Sequence, residues 1–179
     1  RLAAHLSPNP ADQLRAVPDD RWLAQMTRCV FQAGFVWKVI EAKWEGFEAA
    51  FEGFDPSRIS FWSDDDIARL VSDERIVRNG QKITATVANA RMVADLSAEH
   101  GGFGAFMADW PREDQVGLLA LLKSRGSRVS GMTGQYFLRL SGWDAWILSG
   151  DVGAALVREG IVDKAPTSKP AIARSGEAI

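Results

Sequence analysis

The chain has 179 residues, of which 46% are hydrophobic and 25% are charged, and no apolar stretch is long enough to cross a bilayer. This composition predicts one soluble globular domain or two small lobes. A single cysteine, Cys29, excludes an internal disulfide, and neither end resembles a secretion or lipidation signal, so we expect a cytoplasmic enzyme or binding protein. The formal net charge of −2 offers no global attraction for nucleic acid, which leaves such binding to local basic patches.

The first strong pattern is an apolar stripe with the period of an α-helix, starting at Trp22 after Pro18. Its members are Leu23, Met26, Val30, Ala33 and Trp37. Gly34 lies inside the stripe, where a glycine costs about 1 kcal/mol relative to alanine. We therefore predict a break at Gly34 and a new helix from about Trp37.

Further helices follow along the chain. The segment 48–54 continues the helical pattern until Asp55 and Pro56 stop it, and Ser63 and Asp66 have the spacing of a capping box that opens the next helix. A turn at 79–80 precedes a long helix over about 81–99.

Two glycines at 101–102 end the long helix, and a short aromatic helix is expected at 103–110. Another helix over 111–123 and one beginning near Gly134 are joined by a short corner that contains Gly131. This predicts a helical hairpin at about 114–142. We expect an all-α domain over 1–163 and a disordered tail over 164–179.

The hairpin corner has the features of an anion site. The N-terminus of its second helix carries unpaired backbone N–H groups and the positive end of the helix dipole. Three cations flank it, namely Lys123, Arg125 and Arg128. On these residues alone the corner either binds phosphate or is a plain connection.

Two long stretches of the chain resemble the 3-methyladenine DNA glycosylase I family. They read FQAGFVWKVIEAKWEGFEAAFEGFDPSRI and DDDIARLVSDERIVRNGQKITATVANARMV, and they contain, in order, a QAGxxW stretch, an FDP turn and an IxRNxxKIxAxxxNA helix. The similarity covers about 22–93, with a looser continuation over 126–143. It implies a helix-hairpin-helix DNA glycosylase fold, with two helical lobes and the base pocket between them.

The resemblance also assigns the hairpin and a carboxylate. Gly131, Thr133 and Gly134 are similar to the hairpin that grips the DNA backbone in this superfamily, with Thr133 in place of a second glycine, and Arg128 flanks it. Asp151 lies 20 positions after Gly131, which is close to the spacing between the hairpin and the catalytic aspartate in the superfamily. The residues themselves leave a second interpretation open, in which the acid is only the N-cap of a helix over 152–159.

A carboxylate placed next to the deoxyribose can assist the reaction. Hydrolysis of an N-glycosidic bond builds positive charge on the sugar, so a carboxylate can stabilise that state and orient the attacking water. An alkylated purine is already cationic and leaves readily. This reaction therefore needs less acid assistance and more selective recognition of the base.

Four residues are expected at the base pocket, namely Trp37, Cys29, Gln32 and Trp146. Trp37 matches the tryptophan that stacks on the flipped base, although its place in the apolar stripe, taken alone, favours a core residue. Cys29 stands three positions before Gln32, where the family has a glutamate that contacts the base, and a thiol is not an anion at neutral pH. Trp146, like Trp143, either lines the pocket or closes the core beneath it.

Gly34 and Phe35 occupy the position of the loop that the family inserts into the DNA duplex. An apolar ring there can replace lost base stacking, or it can pack between two helices. Gln135 stands where bifunctional relatives carry a Schiff-base lysine, so we expect no strand-cleaving activity. The histidines and the cysteine do not form the pairs of the family's zinc site, so no metal and no other cofactor is expected.

The sequence thus predicts a monofunctional DNA glycosylase that removes alkylated bases such as 3-methyladenine from double-stranded DNA during base excision repair, acting as a monomer with no membrane partner. The alternative is a catalytically inactive helix-hairpin-helix protein that binds DNA or senses lesions. This alternative is favoured by Cys29 in place of the glutamate and by the acidic net charge.

Overall fold

The chain is all-helical in the part that the computed structural model describes, residues 8–147, which contains ten α-helices and no β-strand. They are α1 Ala11–Ala16, α2 Asp19–Gln32, α3 Trp37–Ala42, α4 Trp44–Ala50, α5 Pro56–Ile59, α6 Asp64–Val71, α7 Gly80–His100, α8 Phe103–Asp109, α9 Gln115–Arg125 and α10 Gly131–Leu140. This confirms the predicted fold class. No helix in this part of the chain is both long and apolar enough to cross a membrane.

Local sequence signals account for most of the helix ends. The side chain of Asn79 accepts a hydrogen bond from the main-chain N–H of Lys82 at 3.1 Å, which caps the start of α7, and Gly101 ends α7 in the left-handed conformation with φ +80°. Gly34 is also left-handed, with φ +68°, directly after α2. The expected break at Gly34 is confirmed.

Three helix starts differ from the sequence-based expectation. Pro56 begins α5 rather than only ending a helix, because proline is suited to the first helical position and the carboxylate of Asp55 accepts the N–H of Ser57 at 3.0 Å. The helix predicted from 111 begins at Gln115, after its cap Asp114. The last helix, α10, begins at Gly131 rather than near 134, with Ser130 as its N-cap.

Helix α1 was not predicted, because its six residues are too few to show a period. It buries Leu14 against α8, and the two helices touch at Gly104, where an added Cβ would lie 2.5 Å from the carbonyl oxygen of Leu14. A glycine is therefore required for this close approach.

The core forms around α2 and α7, which pack against each other. Most of the remaining helices pack against one or both of them. Trp22 of α2 is 1% exposed, and its ring lies 5.5 Å from that of Phe103 and 6.1 Å from that of Phe137. The rings thus join α2 to α8 and α10. Helix α2 also contacts α10 along its length, and its C-terminal end lies beside Met132 and Thr133 of α10.

Candidate functional site

A cavity of about 240 Å³ opens at the C-terminal end of α2, between the turn that leads into α3 and one face of α10. Nine described residues line it, and none of them carries a formal charge. They are Cys29, Gln32, Ala33, Gly34, Trp37, Met132, Thr133, Tyr136 and Leu140. The cavity is therefore a largely apolar site with a few polar groups, as is typical of sites that bind small flat ligands.

Two aromatic rings meet at this cavity from different parts of the chain. Trp37 begins α3 and Tyr136 lies in the middle of α10, and their ring centroids are 6.1 Å apart with the planes at 88°. Trp37 is 44% exposed, so its place in the apolar stripe does not make it a core residue. A flat ligand stacked on one ring would present its edge to the other ring.

Cys29 and Gln32 form the inner wall of the cavity. Both side chains are buried, and the Cys29 sulfur lies 3.9 Å from Nε2 of Gln25. Burial raises the pKa of Cys29 to about 12, so the thiol is neutral at physiological pH. Cys29 therefore contributes an uncharged surface to the cavity, and it is not an activated nucleophile.

The turn after α2 forms the exposed rim of the cavity. Residues 33–39 are exposed, and within this run Phe35 is 43% and Val36 is 61% exposed. The ring of Phe35 is therefore accessible at the surface rather than part of the core. The ammonium of Lys82 in α7 reaches this turn and donates to the carbonyl oxygens of Phe31 at 3.0 Å and Ala33 at 2.8 Å.

The hairpin corner is fixed by the side chain of Asn89 in α7. Its amide donates to the carbonyl of Ser127 at 3.0 Å and accepts from the N–H of the same residue at 2.7 Å. Arg128, the next residue, is exposed with φ +62°, and its guanidinium donates to Oε1 of Gln81 at 2.5 Å. Helix α7 thus holds the corner close to the turn that follows α2.

The two glycines predicted to bind DNA have different environments. Gly131 is exposed with φ +59°, and nothing lies within 4 Å of the position where its Cβ would be. Gly134 is buried, and its Cβ would lie 2.5 Å from the carbonyl oxygen of Val129 and 2.9 Å from Cδ2 of Leu119. Gly134 lets α10 pack closely against the corner and α9, while Gly131 lies at the surface.

The two tryptophans that follow α10 are not at the cavity. Trp143 is 1% exposed and donates from Nε1 to the carbonyl of Met107 at 3.2 Å, so it closes the core. The main-chain N–H and carbonyl of Trp146 both bond to the amide of Gln115, each at 2.8 Å, and Trp146 is not among the described residues that line the cavity. The structure therefore does not bring Trp146 to the other predicted pocket residues. Asp151 lies outside the described residues.

Sequence reasoning missed three cavity residues on α10, although a signal was present. Met132, Tyr136 and Leu140 are spaced by four, which places them on one face of a helix. Extending the helix back to Gly131 would have shown that this face begins at the corner and continues toward the other pocket residues.

Comparisons with known proteins point to one family. A model of the methyladenine glycosylase family matches residues 15–120. DNA-3-methyladenine glycosylase 1 of Escherichia coli (strain K12) is 39% identical over 71 residues, which are 40% of this chain and only 37% of that enzyme.

Two solved structures share the fold. One, of 3-methyladenine DNA glycosylase I from Staphylococcus aureus, describes 3-methyladenine recognition; it has a TM-score of 0.64 at 22% identity and covers 79% of this chain and 82% of its own. A variant of 3-methyladenine DNA glycosylase I in complex with 3-methyladenine has a TM-score of 0.66 at 22% identity, over 82% of this chain and 86% of its own. Since the family model matches more than half of the residues, the chain belongs to the methyladenine glycosylase family.

Proposed function

We propose that this protein is a monofunctional DNA glycosylase that removes 3-methyladenine and similarly alkylated bases from double-stranded DNA. The observation that carries the proposal is the uncharged cavity between the exposed turn after α2 and helix α10, whose wall holds Trp37 and Tyr136. A base can reach such a cavity only after it has left the helical stack. The site therefore suits an enzyme that acts on an extruded base.

Stacking in the cavity offsets the cost of extrusion. Taking a base out of the duplex costs a few kcal/mol, and stacking on an aromatic side chain returns about 1–3 kcal/mol per base. Trp37 is exposed enough to offer its ring to an incoming base, and Tyr136 meets that ring nearly at a right angle. Together the two rings would hold a purine by one face and one edge.

The exposed turn before α3 would contact the gap that the base leaves. Phe35 lies at the surface beside the cavity, and its ring centroid is 5.9 Å from the ammonium of Lys82. An apolar ring inserted at a base step replaces part of the lost stacking energy. This supports Phe35 as the residue that enters the duplex.

The hairpin corner would bind the phosphate backbone. The first N–H groups of α10 have no acceptor within the helix, and the exposed Gly131 lets a phosphate approach them closely. Exposed Arg128 adds positive charge beside these N–H groups, whereas the ammonium of Lys82 is bonded to the carbonyls of Phe31 and Ala33. A local basic surface therefore exists despite the net charge of −2.

Catalysis is assigned to Asp151 on the sequence resemblance, as the carboxylate that stabilises the sugar cation and orients water. The buried Gln135 has an amide and no nucleophilic amine, which supports hydrolysis without strand cleavage. Cys29, neutral in the cavity wall, contributes shape rather than charge to base selection.

Release of 3-methyladenine from methylated duplex DNA by the purified protein tests the proposal. Asp151→Asn should lower the release rate on the order of a hundredfold and leave DNA binding intact. Asp144→Asn, the same change at an exposed site, is the matched control and should keep the wild-type rate. DNA binding with no base release by the wild-type protein would instead establish an inactive DNA-binding protein, and strand cleavage without heat or base would contradict the monofunctional assignment.

A further inference from the structure

Lys82 links α7 to the turn that borders the cavity, and no part of the proposed chemistry uses it. It lies in the first turns of α7, and its ammonium donates to the carbonyl oxygens of Phe31 at 3.0 Å and Ala33 at 2.8 Å. These carbonyls belong to the last turn of α2 and to the residue after it. A cation at the C-terminus of a helix also interacts favourably with the helix dipole.

The hydrogen bonds from Lys82 fix main-chain groups in and beside the wall of the cavity. Ala33 and Gly34 are part of its wall, and Trp37 follows three residues later. Gly34 has φ +68°, so the chain reverses at this point through one flexible residue. A side chain that fixes the carbonyl just before Gly34 therefore fixes the direction in which Phe35 and Trp37 leave α2.

The opposite wall is tied to the same turn of α7. Gln81, the residue before Lys82, accepts from the guanidinium of Arg128 at the hairpin corner, and Asn89 holds Ser127 further along α7. The distance between the exposed turn and the hairpin is thus set through Gln81 and Lys82. These two neighbouring residues hold one wall each.

We propose that Lys82 is a positioning residue for base extrusion: its bonds to Phe31 and Ala33 hold the Gly34–Trp37 turn at the spacing from the hairpin that an extruded base requires. This rests on the proposed function. Misplacing a contact by about 1 Å can cost up to a hundredfold in rate. Removing the ammonium should therefore slow base extrusion and release more than it weakens DNA binding.

The chain offers a matched control for this change. Lys43 also donates from its ammonium to a main-chain carbonyl, that of Glu74 at 3.0 Å, but neither residue lines the cavity in the described part of the chain. Lys82→Met and Lys43→Met each remove one lysine and its carbonyl contacts. A purely structural role for Lys82 would make the two variants behave alike.

Single-turnover release of 3-methyladenine, measured against enzyme concentration, separates the maximal rate from the DNA dissociation constant. Lys82→Met should lower the maximal rate by about tenfold to a hundredfold, with a dissociation constant within about threefold of wild type. Lys82→Arg, which keeps a cation able to donate to both carbonyls, should recover a large part of the rate, and Lys43→Met should keep the wild-type rate. Thermal unfolding of each variant shows whether it is folded under the assay conditions.

A second readout does not require bond cleavage. The fluorescence of 2-aminopurine at the target position of a duplex rises when the base is extruded, and Lys82→Met should reduce this rise while Lys43→Met does not. If the wild-type protein extrudes the base but releases none, the proposed function fails and the role of Lys82 stands. Equal losses in the two methionine variants, or a wild-type rate in Lys82→Met, would overturn the role of Lys82, and an absence of extrusion by wild type would overturn both.

Discussion

Replacing Asn89 with alanine should destabilise the protein strongly, because this side chain is the clamp on the hairpin corner. Asn89 is 0% exposed, and its amide makes two hydrogen bonds to the main chain of Ser127, at 3.0 and 2.7 Å. Alanine has no side-chain amide, so the substitution removes the donor and the acceptor of Asn89 together. The main-chain N–H and C=O of Ser127 then remain without the acceptor and donor that satisfied them.

The expected loss follows from the two bonds. Leaving a buried polar group without its partner costs about 1–3 kcal/mol, and Ser127 is half-buried, so water can satisfy part of what Asn89 leaves. The free energy of unfolding should therefore fall by about 2–4 kcal/mol for Asn89→Ala. DNA affinity should also fall, because Arg128 follows Ser127 directly, Gly131 lies four positions after it, and both depend on the position of the corner.

Urea unfolding followed by circular dichroism measures this difference in the free energy of unfolding. The slope of that free energy against urea concentration should be the same in both proteins if unfolding stays two-state. Asn79→Ala is a suitable control, since it removes one bond at the N-cap of α7 and should cost about 1 kcal/mol. If Asn89→Ala unfolds at the wild-type urea concentration, or costs less than the Asn79 variant, the corner is not held by this clamp and the reasoning is wrong.

Three other results are expected. Gly134→Ala should cost about 2–3 kcal/mol, because its Cβ meets a main-chain carbonyl, whereas Gly131→Ala should cost about 1 kcal/mol from its positive φ alone; urea unfolding of both variants checks this order. Cys29 should not react with an aromatic disulfide reagent at pH 8 until urea unfolds the protein, since burial raises its pKa to about 12, and rapid reaction of the folded protein would contradict this. Arg21 holds the pKa of Glu48 below its ordinary value of 4.5, so Glu48 stabilises the fold above that pH and this contribution is lost as the pH falls. Glu48→Gln should therefore be less stable than wild type at pH 7, and urea unfolding should show the difference shrinking below pH 4.5.

The helices could be predicted where a long apolar period coincided with a strong end signal. This holds for α2, which ends before Gly34, and for α7, which runs from the Asn79 cap to Gly101. The short α1 could not be predicted, since six residues contain less than two helical turns and its burial depends on contact with α8. A local sequence pattern therefore predicts a helix only when the helix is long enough to show its period.

The candidate site could be predicted only in part, because a cavity depends on how distant segments meet. The apolar stripe of α2 and α3 contains both core residues and Trp37, and its pattern does not distinguish them. Only the structure shows that the turn after Gly34 is exposed and that Trp37 is therefore not a core residue. Trp143 and Trp146 lie in a short bent segment with no period, so nothing in the sequence distinguishes a core tryptophan from a pocket residue there. The side-chain amides that fix this geometry, Asn89 and Gln115, are polar residues buried by tertiary contacts that no periodic pattern reveals.

The acidic net charge argued against a nucleic-acid partner, but one cluster of acidic groups lies far from the cavity. Four carboxylates lie along a groove at the N-terminal end of α2, namely Asp19, Asp20, Glu52 and Asp55. The cavity lies at the other end of the same helix, which has 14 residues and is therefore about 21 Å long. Charges at the protein surface are screened over about 8–10 Å at physiological salt, so this groove has little effect on a phosphate at the hairpin. Under the proposed function, the potential that DNA would meet there is set by Arg128 and the N-terminus of α10, and the net charge of the whole chain is a poor guide to it.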